Sequence, residues 1–235
     1  MKAVVFGGSG FLGSHVSDEL SARGYKVIVF DKKKSPYLKS NQEMIVGDIL
    51  NKDDIQKACE NADYIYNFAG IADINQAKDL PAATIELNIV GNHNILEVAL
   101  RNGIKRFIFA SSVYIYSESG SFYSVSKQTS EKIVELYYER YKLPFTILRY
   151  GSLYGKRADN RNTIYNFIES ALKNNEISYN GTGNELREYI HVVDAATASV
   201  DILDDKFENT HLILTGHQAY KLRDVMVMIS EILQN

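Results

Sequence analysis

A tyrosine and a lysine four residues apart form the pattern best suited to chemistry in this 235-residue chain. Tyr123 and Lys127 share one face of the helix predicted there, so the ammonium group lies near the phenol. A free tyrosine, with a pKa of about 10, is a weak base at neutral pH, and a neighbouring cation favours its phenolate. Ser112, after an apolar run, is placed to hydrogen-bond the same substrate oxygen, with Ser111 as its rival. These residues predict proton transfer to or from a hydroxyl group.

A second pattern opens the chain, where an apolar run leads into three glycines spaced three residues apart. The first two allow a tight turn and let backbone N–H groups approach a pyrophosphate, and the third lets the next helix pack close to the strand. Asp31 ends the following apolar run, at the distance where a carboxylate accepts hydrogen bonds from an adenosine ribose. A dinucleotide site is therefore predicted. Its turn comprises Gly7, Gly10, Phe11, Leu12 and Gly13.

Asp31 favours NAD over NADP, because a carboxylate repels the extra 2′-phosphate of NADP. Three lysines, Lys32 to Lys34, follow it and either bind that phosphate or form a solvated loop. Two later turns add candidates for cofactor binding. Asp48, after the third strand, is placed to reach the adenine amino group. Small residues after the fourth strand allow the cofactor to approach the backbone closely. The further candidates are Lys32, Asp48, Ile49, Phe68, Ala69 and Gly70.

Short apolar runs alternate with stretches of helical period, which predicts an α/β, doubly wound, Rossmann-like parallel sheet. Strands are expected at residues 2–6, 26–30, 43–46, 63–68, 106–110 and 145–149. Helices are expected at residues 10–22, 82–101, 123–141, 164–173, 192–203 and 221–233. The chain is interpreted as one domain, residues 1–235, with a small substrate lobe from about 151–191 and 204–235. In such a sheet the glycine turn follows one strand end and Ser112 follows another. Open α/β sheets bind their ligands at these strand ends.

Composition excludes several other classes of protein. Apolar residues make up 45% of the chain and charged residues 23%, which is typical of a globular protein. The net charge of -3 comes from interspersed signs, so no nucleic-acid partner is expected. With Cys59 as the single cysteine and no paired histidine spacing, neither a disulfide nor a metal site is expected. No run reaches the roughly 18 apolar residues of a membrane span, and a cytoplasmic location is expected.

Taken in order, these residues resemble the extended short-chain dehydrogenase/reductase family, which includes NAD-dependent nucleotide-sugar epimerases and dehydratases. The segments 88–91, 149–155 and 187–194 extend the likeness over nearly the whole chain. The resemblance implies that Ser112, Tyr123 and Lys127 form a catalytic triad and that Lys127 also anchors the cofactor ribose. It adds Asn88 and Tyr150 to the cofactor site.

The resemblance also implies a substrate site made by Ser112, Ser152 and Arg187. A guanidinium group suits a nucleotide-sugar diphosphate because it binds two oxygens at once. A homodimer through a four-helix bundle of the helices at 82–101 and 123–141 is implied as well.

Four departures from the family pattern bear on the activity. Val113 and Tyr114 stand where dehydratases usually carry an acidic pair, which disfavours a 4,6-dehydratase. Ser152 replaces an asparagine that many epimerases carry. The loop between Ser112 and Tyr123 is short, and the substrate lobe lacks a further segment, so the substrate is smaller or a partner subunit completes the pocket.

The favoured interpretation is an NAD-dependent epimerase similar to UDP-glucose 4-epimerase, which removes a hydride from a sugar and returns it. If the keto-sugar leaves instead, the protein is an NAD(P)H-dependent nucleotide-sugar 4-ketoreductase or dehydrogenase. A third interpretation is a dinucleotide-binding protein without turnover, against which the intact triad argues.

Overall fold

Seven parallel strands form the main sheet of the computed structural model, which describes residues 1–117 and 120–234. The strands are β1 (Lys2–Phe6), β2 (Lys26–Asp31), β3 (Gln42–Val46), β4 (Tyr64–Asn67), β5 (Arg106–Ser112), β6 (Phe145–Tyr150) and β9 (Thr210–Leu214). Their order is β3-β2-β1-β4-β5-β6-β9, so the chain winds outward from β1 in both directions. β1 and β2 are apolar and buried over most of their length, as central parallel strands are. The predicted doubly wound α/β fold is confirmed.

Helices cover both faces of this sheet. They are α1 (Phe11–Ala22), α2 (Lys52–Cys59), α3 (Ile74–Asp79), α4 (Pro81–Ile85), α5 (Asn92–Arg101), α6 (Ser121–Tyr141) and α8 (Val192–Asp201). Phe107 of β5 packs on one face with Ile95 and Val134, from α5 and α6. Its neighbour Ile108 points to the other face, into a core shared by α1 and α8. This alternation follows from the two-residue period of a strand.

The helix predicted at 82–101 is continuous but not uniform. α4 and α5 are joined by a wide π-helical turn at Glu86–Gly91, which contains the buried Asn88. A π turn inserts one residue into the helical pattern and is common at functional sites. The turn shifts which side chains of this segment face the sheet.

A separate three-stranded sheet forms the small lobe, with β7 (Ser152–Tyr154), β8 (Leu186–His191) and β10 (Ala219–Lys221). Two helices accompany it, α7 (Thr163–Asn174) and α9 (Leu222–Gln234), and they contact each other.

One part of the expected lobe belongs to the main sheet instead. β9 lies within 204–235 but pairs in parallel with β6 at the sheet edge. This strand was not predicted from the sequence, because an edge strand is only partly buried and lacks a continuous apolar run. In the described part of the chain, no helix combines the length and apolarity that a bilayer crossing requires.

Candidate active site

The parallel strands of the main sheet end at one common edge, and the predicted site residues lie along it. The glycine turn follows β1, Asp31 ends β2, and Ser112 ends β5. β4 alone separates β1 from β5 in the sheet. The fold therefore brings the predicted cofactor turn and the predicted catalytic residues to the same edge.

The glycine turn has the shape needed for a pyrophosphate. Gly7 has a φ of +76°, and a Cβ atom there would lie 2.7 Å from the amide nitrogen of Ala69. A Cβ on Gly13 would collide with the carbonyl oxygen of Gly7. No side chain of the described residues caps the amide groups at the start of α1, directly after Gly10. Free amides at a helix N-terminus fit the phosphates of NAD. The other residues of the turn are the half-buried Phe11 and the buried Leu12.

Asp31 and its lysine neighbour adopt fixed positions. The carboxylate of Asp31 accepts hydrogen bonds from the amides of Ser9 and Lys33, both at 3.1 Å. The ammonium of Lys32 donates to Asp48 at 2.9 Å. A backbone hydrogen bond and Lys32 together hold the pKa of Asp48 below its ordinary value. Lys32 was expected either to bind a 2′-phosphate or to lie in a solvated loop, and this ion pair was not predicted. It leaves the lysine less available to a 2′-phosphate.

Both carboxylate oxygens of Asp48 already have partners in the protein, because the second one accepts from the amide of Leu50 at 3.0 Å. Each carboxylate oxygen can accept a further hydrogen bond, so the expected contact of Asp48 with the adenine amino group stays a prediction.

The loop after β4, residues 68–70, is fastened to the π turn by Asn88. The side-chain oxygen of Asn88 accepts from the amide of Ile71 at 2.8 Å, and its nitrogen donates to the Ile71 carbonyl at 3.0 Å. The same nitrogen donates to Ser126 of α6 at 2.9 Å. The amide of Asn88 is thus occupied within the protein, and the residue positions the predicted cofactor loop. Ile49 is buried nearby, against the π turn.

The three predicted catalytic residues are buried together. Ser112, Tyr123 and Lys127 are 6%, 7% and 7% exposed. The hydroxyl of Ser112 accepts from the amide of Tyr114 at 3.2 Å and lies beside the phenol of Tyr123. The ammonium of Lys127 donates to the carbonyl of Ala110 at 2.7 Å and lies 5.9 Å from the centre of the Tyr123 ring. Of the two candidate serines, Ser112 faces the tyrosine, while the hydroxyl of Ser111 is buried with no partner among the described residues.

Burial dominates the electrostatics of this group. It raises the pKa of Tyr123 to about 12, although the neighbouring Ser112 hydroxyl opposes the rise. Burial also lowers the pKa of Lys127 to about 8. Burial thus outweighs the effect expected of Lys127 on the phenol. The reason is that both groups leave water, and desolvation disfavours the charged form of each.

The predicted substrate residues lie on the lobe side of Tyr123. The guanidinium of Arg187 lies 5.5 Å from the ring centre of Tyr114, and that ring lies 6.5 Å from the Tyr123 ring. Ser152 is the partner of Tyr189 in the pairing of β7 with β8. The hydroxyl of Tyr189 is buried without a partner in the described chain. Sequence reasoning did not select Tyr189, although it lies two residues after Arg187 and so on the same strand face.

Tyr150 is the last residue of β6, at the edge of the sheet where the predicted site residues lie. Its side chain is 5% exposed, packs in the core shared with α8 and lies 6.3 Å, between ring centres, from Phe68 of the predicted cofactor loop, so its place in the cofactor site stays a prediction. Its hydroxyl is 2.6 Å from Ser199, and burial raises the pKa of that hydroxyl. β6 alternates its side chains between the two covered faces of the sheet, and Tyr150 shares its face with Leu148, opposite Ile147.

Comparison with known proteins relates this chain to a single family of NAD-dependent enzymes. The model of the NAD dependent epimerase/dehydratase family matches residues 3–214. A UDP-N-acetyl-alpha-D-glucosaminuronate decarboxylase of Bacillus cytotoxicus is 31% identical, over 94% of this chain and 76% of its own. A putative UDP-glucose 4-epimerase of Methanocaldococcus jannaschii is 30% identical, over 87% of this chain and 74% of its own length. The solved structure of a Thermotoga maritima UDP-glucose 4-epimerase with UDP-glucose covers all of this chain and 83% of that one, at 27% identity and a TM-score of 0.93.

Proposed function

This chain belongs to the NAD dependent epimerase/dehydratase family, and we propose that it is a nucleotide-sugar 4-epimerase similar to UDP-glucose 4-epimerase. It is an NAD-dependent enzyme of the extended short-chain dehydrogenase type. The observation that carries the proposal is the burial of Ser112, Tyr123 and Lys127 at the edge where the glycine turn lies. A binding protein without turnover has no need of that group.

In the proposed reaction, Tyr123 as phenolate removes the proton from a sugar hydroxyl, and Ser112 donates a hydrogen bond to the same oxygen. NAD held at the glycine turn and Asp31 would supply the acceptor for the sugar hydride and the donor for its return to the opposite face, and Tyr123 would give the proton back to the same oxygen at that stage. Lys127 supplies positive charge beside the phenol and holds the ribose. Arg187 binds the substrate diphosphate, with the hydroxyls of Ser152 and Tyr189 on the adjoining strands.

The turn after Ser112 bears on dehydration, one of the reactions of the family. Removal of water from a sugar needs a second acid and base beside the tyrosine. Here the turn carries Val113 and Tyr114, and the Tyr114 ring packs edge-on against Tyr123. This supports a reaction in which Tyr123 alone exchanges the proton, as epimerisation requires.

The test is conversion of UDP-glucose to UDP-galactose by the purified protein, followed by NMR, beside Tyr123→Phe. Denatured protein is also analysed for released nucleotide. We expect turnover with NAD(H) retained through purification, and a loss of about 10²-fold or more in Tyr123→Phe with NAD binding intact. Stoichiometric use of added NADH or NADPH would indicate a ketoreductase instead. Equal behaviour of the two proteins in every assay would refute an enzymatic role for Tyr123.

We also propose a cytoplasmic homodimer, joined through the helical segment 81–101 and α6. Apolar side chains on these helices remain exposed, among them Val90 (45%), Leu136 (48%) and Tyr141 (54%). Pairing with a second copy would cover them. Light scattering is expected to give twice the chain mass of 26.5 kDa; a mass of one chain would refute the dimer.

A further inference from the structure

α6 carries a series of ionisable residues at four-residue intervals, of which Lys127, Glu131 and Glu135 are the middle three. This spacing places them on one helix face, which lies against the sheet. Each meets a different strand, β5, β6 or β9. Their respective partners are the carbonyl of Ala110 at 2.7 Å, the guanidinium of Arg149 at 2.7 Å and the imidazole of His211 at 3.0 Å.

Of the two ion pairs among these contacts, Glu131 with Arg149 is the more deeply buried. Glu131 is 5% exposed, and Arg149 binds both of its carboxylate oxygens, at 2.7 and 3.1 Å. A third nitrogen of Arg149 donates to the hydroxyl of Tyr116 at 2.5 Å, and the guanidinium lies 5.3 Å from that ring centre. The pair therefore connects the catalytic helix to the turn that follows Ser112. A buried ion pair adds little net stability, because desolvation offsets the attraction.

Lys127, one helical turn before Glu131, has no carboxylate within 4.0 Å in the described part of the chain. Burial disfavours its ammonium form, and the charge of Glu131 opposes that effect. The ionisable groups on the elements packed around it are Tyr123 and Glu131 of α6, Arg149 of β6, and Tyr114 and Tyr116 of the turn after β5.

We propose that Glu131 and Arg149 are positioning residues of the active site, an inference that rests on the proposed function. The carboxylate of Glu131 keeps Lys127 charged, and Arg149 holds both that carboxylate and the Tyr116 turn. Removing the carboxylate alone leaves a buried guanidinium unpaired beside Lys127. Both changes favour a neutral lysine. Removing carboxylate and guanidinium together restores the local net charge.

The experiment measures the pKa of Lys127 directly, by NMR titration of protein carrying isotope-labelled lysine, with and without NAD. Lys127→Arg assigns the resonance. We expect Glu131→Gln to lower this pKa by about one unit or more. The double variant Glu131→Gln/Arg149→Gln is expected to return it toward the wild-type value, and Glu131→Asp to retain it. Glu135→Gln, one turn farther along α6, is the matched control and is expected to leave the pKa unchanged.

Turnover supplies a second readout. The pH at which kcat falls on the alkaline side should move down in Glu131→Gln by the same amount as the lysine pKa. An unchanged lysine pKa in folded Glu131→Gln would overturn the proposal. If Glu131→Gln does not fold, the double variant Glu131→Gln/Arg149→Gln decides. A fall of one unit or more in its Lys127 pKa would overturn the proposal. Failure of the wild type to epimerise any nucleotide sugar would refute the proposed function but leave the titration interpretable.

Discussion

Replacement of Lys127 by methionine should stabilise the fold while it removes activity. Lys127 is 7% exposed, and burial lowers its pKa from 10.5 to about 8. A difference of about 2.5 corresponds to about 3 kcal/mol of lost stability at neutral pH. Methionine cannot bond the carbonyl of Ala110, which offsets about 1 kcal/mol of the gain. The net gain is about 2 kcal/mol, or about 4–8 °C in Tm for a chain of this size.

The pH dependence has a definite sign. Below pH 8 the lysine is protonated in both the folded and unfolded states, so the full penalty of burying the charge applies. Between pH 8 and 10.5 the unfolded chain binds the proton while the folded chain does not, and stability therefore rises with pH. Above 10.5 the penalty is gone. The advantage of Lys127→Met over the wild type should shrink across this window.

Urea unfolding of nucleotide-free protein at pH 7 and pH 9.5 measures the effect. Lys57→Met serves as the control, because the Lys57 side chain is 70% exposed and removing its charge should change the free energy of unfolding little. If Lys127→Met were less stable than the wild type at pH 7, or if the difference did not shrink at pH 9.5, the buried ammonium would not carry the penalty described.

Three further changes test other parts of the account. Gly13→Ala places a Cβ against the Gly7 carbonyl and should weaken NAD binding by about 10-fold or more, measured by calorimetry beside an unchanged circular dichroism spectrum. Asp31→Asn should weaken NAD binding and reduce the protein's preference for NAD over NADP, because the carboxylate no longer repels the 2′-phosphate. The same titration with both nucleotides measures this preference, and an unchanged value would contradict the role of the carboxylate. Arg106→Met removes a 2%-exposed guanidinium that bonds the carbonyls of Ile202 and Asp204, and should lower the free energy of unfolding by about 2–4 kcal/mol in urea.

The sequence predicted the sheet well because its central strands are continuous apolar runs. β1 and β2 are buried on both faces, so their pattern is strong, and the glycine turn and Asp31 could be located from their ends. The Tyr123–Lys127 spacing likewise predicted a shared helix face, and the structure brings both residues together with Ser112. Local periodicity and spacing were sufficient for these features.

Features that depend on tertiary contacts could not be predicted in this way. The hydrogen-bond partners of Asn88 and Tyr150 lie on elements distant in sequence. Residue spacing therefore could not predict that these side chains bond within the protein. The ion pair of Lys32 with Asp48 joins the loops that follow two neighbouring strands. The pKa of Tyr123 depends on burial, which no pattern of residue types reports.

The most direct test of the central claim uses UDP-glucose deuterated at carbon 4. The enzyme is incubated with it in ordinary water, without added nucleotide, and the product is examined by NMR and mass spectrometry. Internal hydride return predicts UDP-galactose that keeps the deuterium at carbon 4. Loss of the deuterium, its appearance in free NADH, or release of a keto-sugar would contradict the epimerase account.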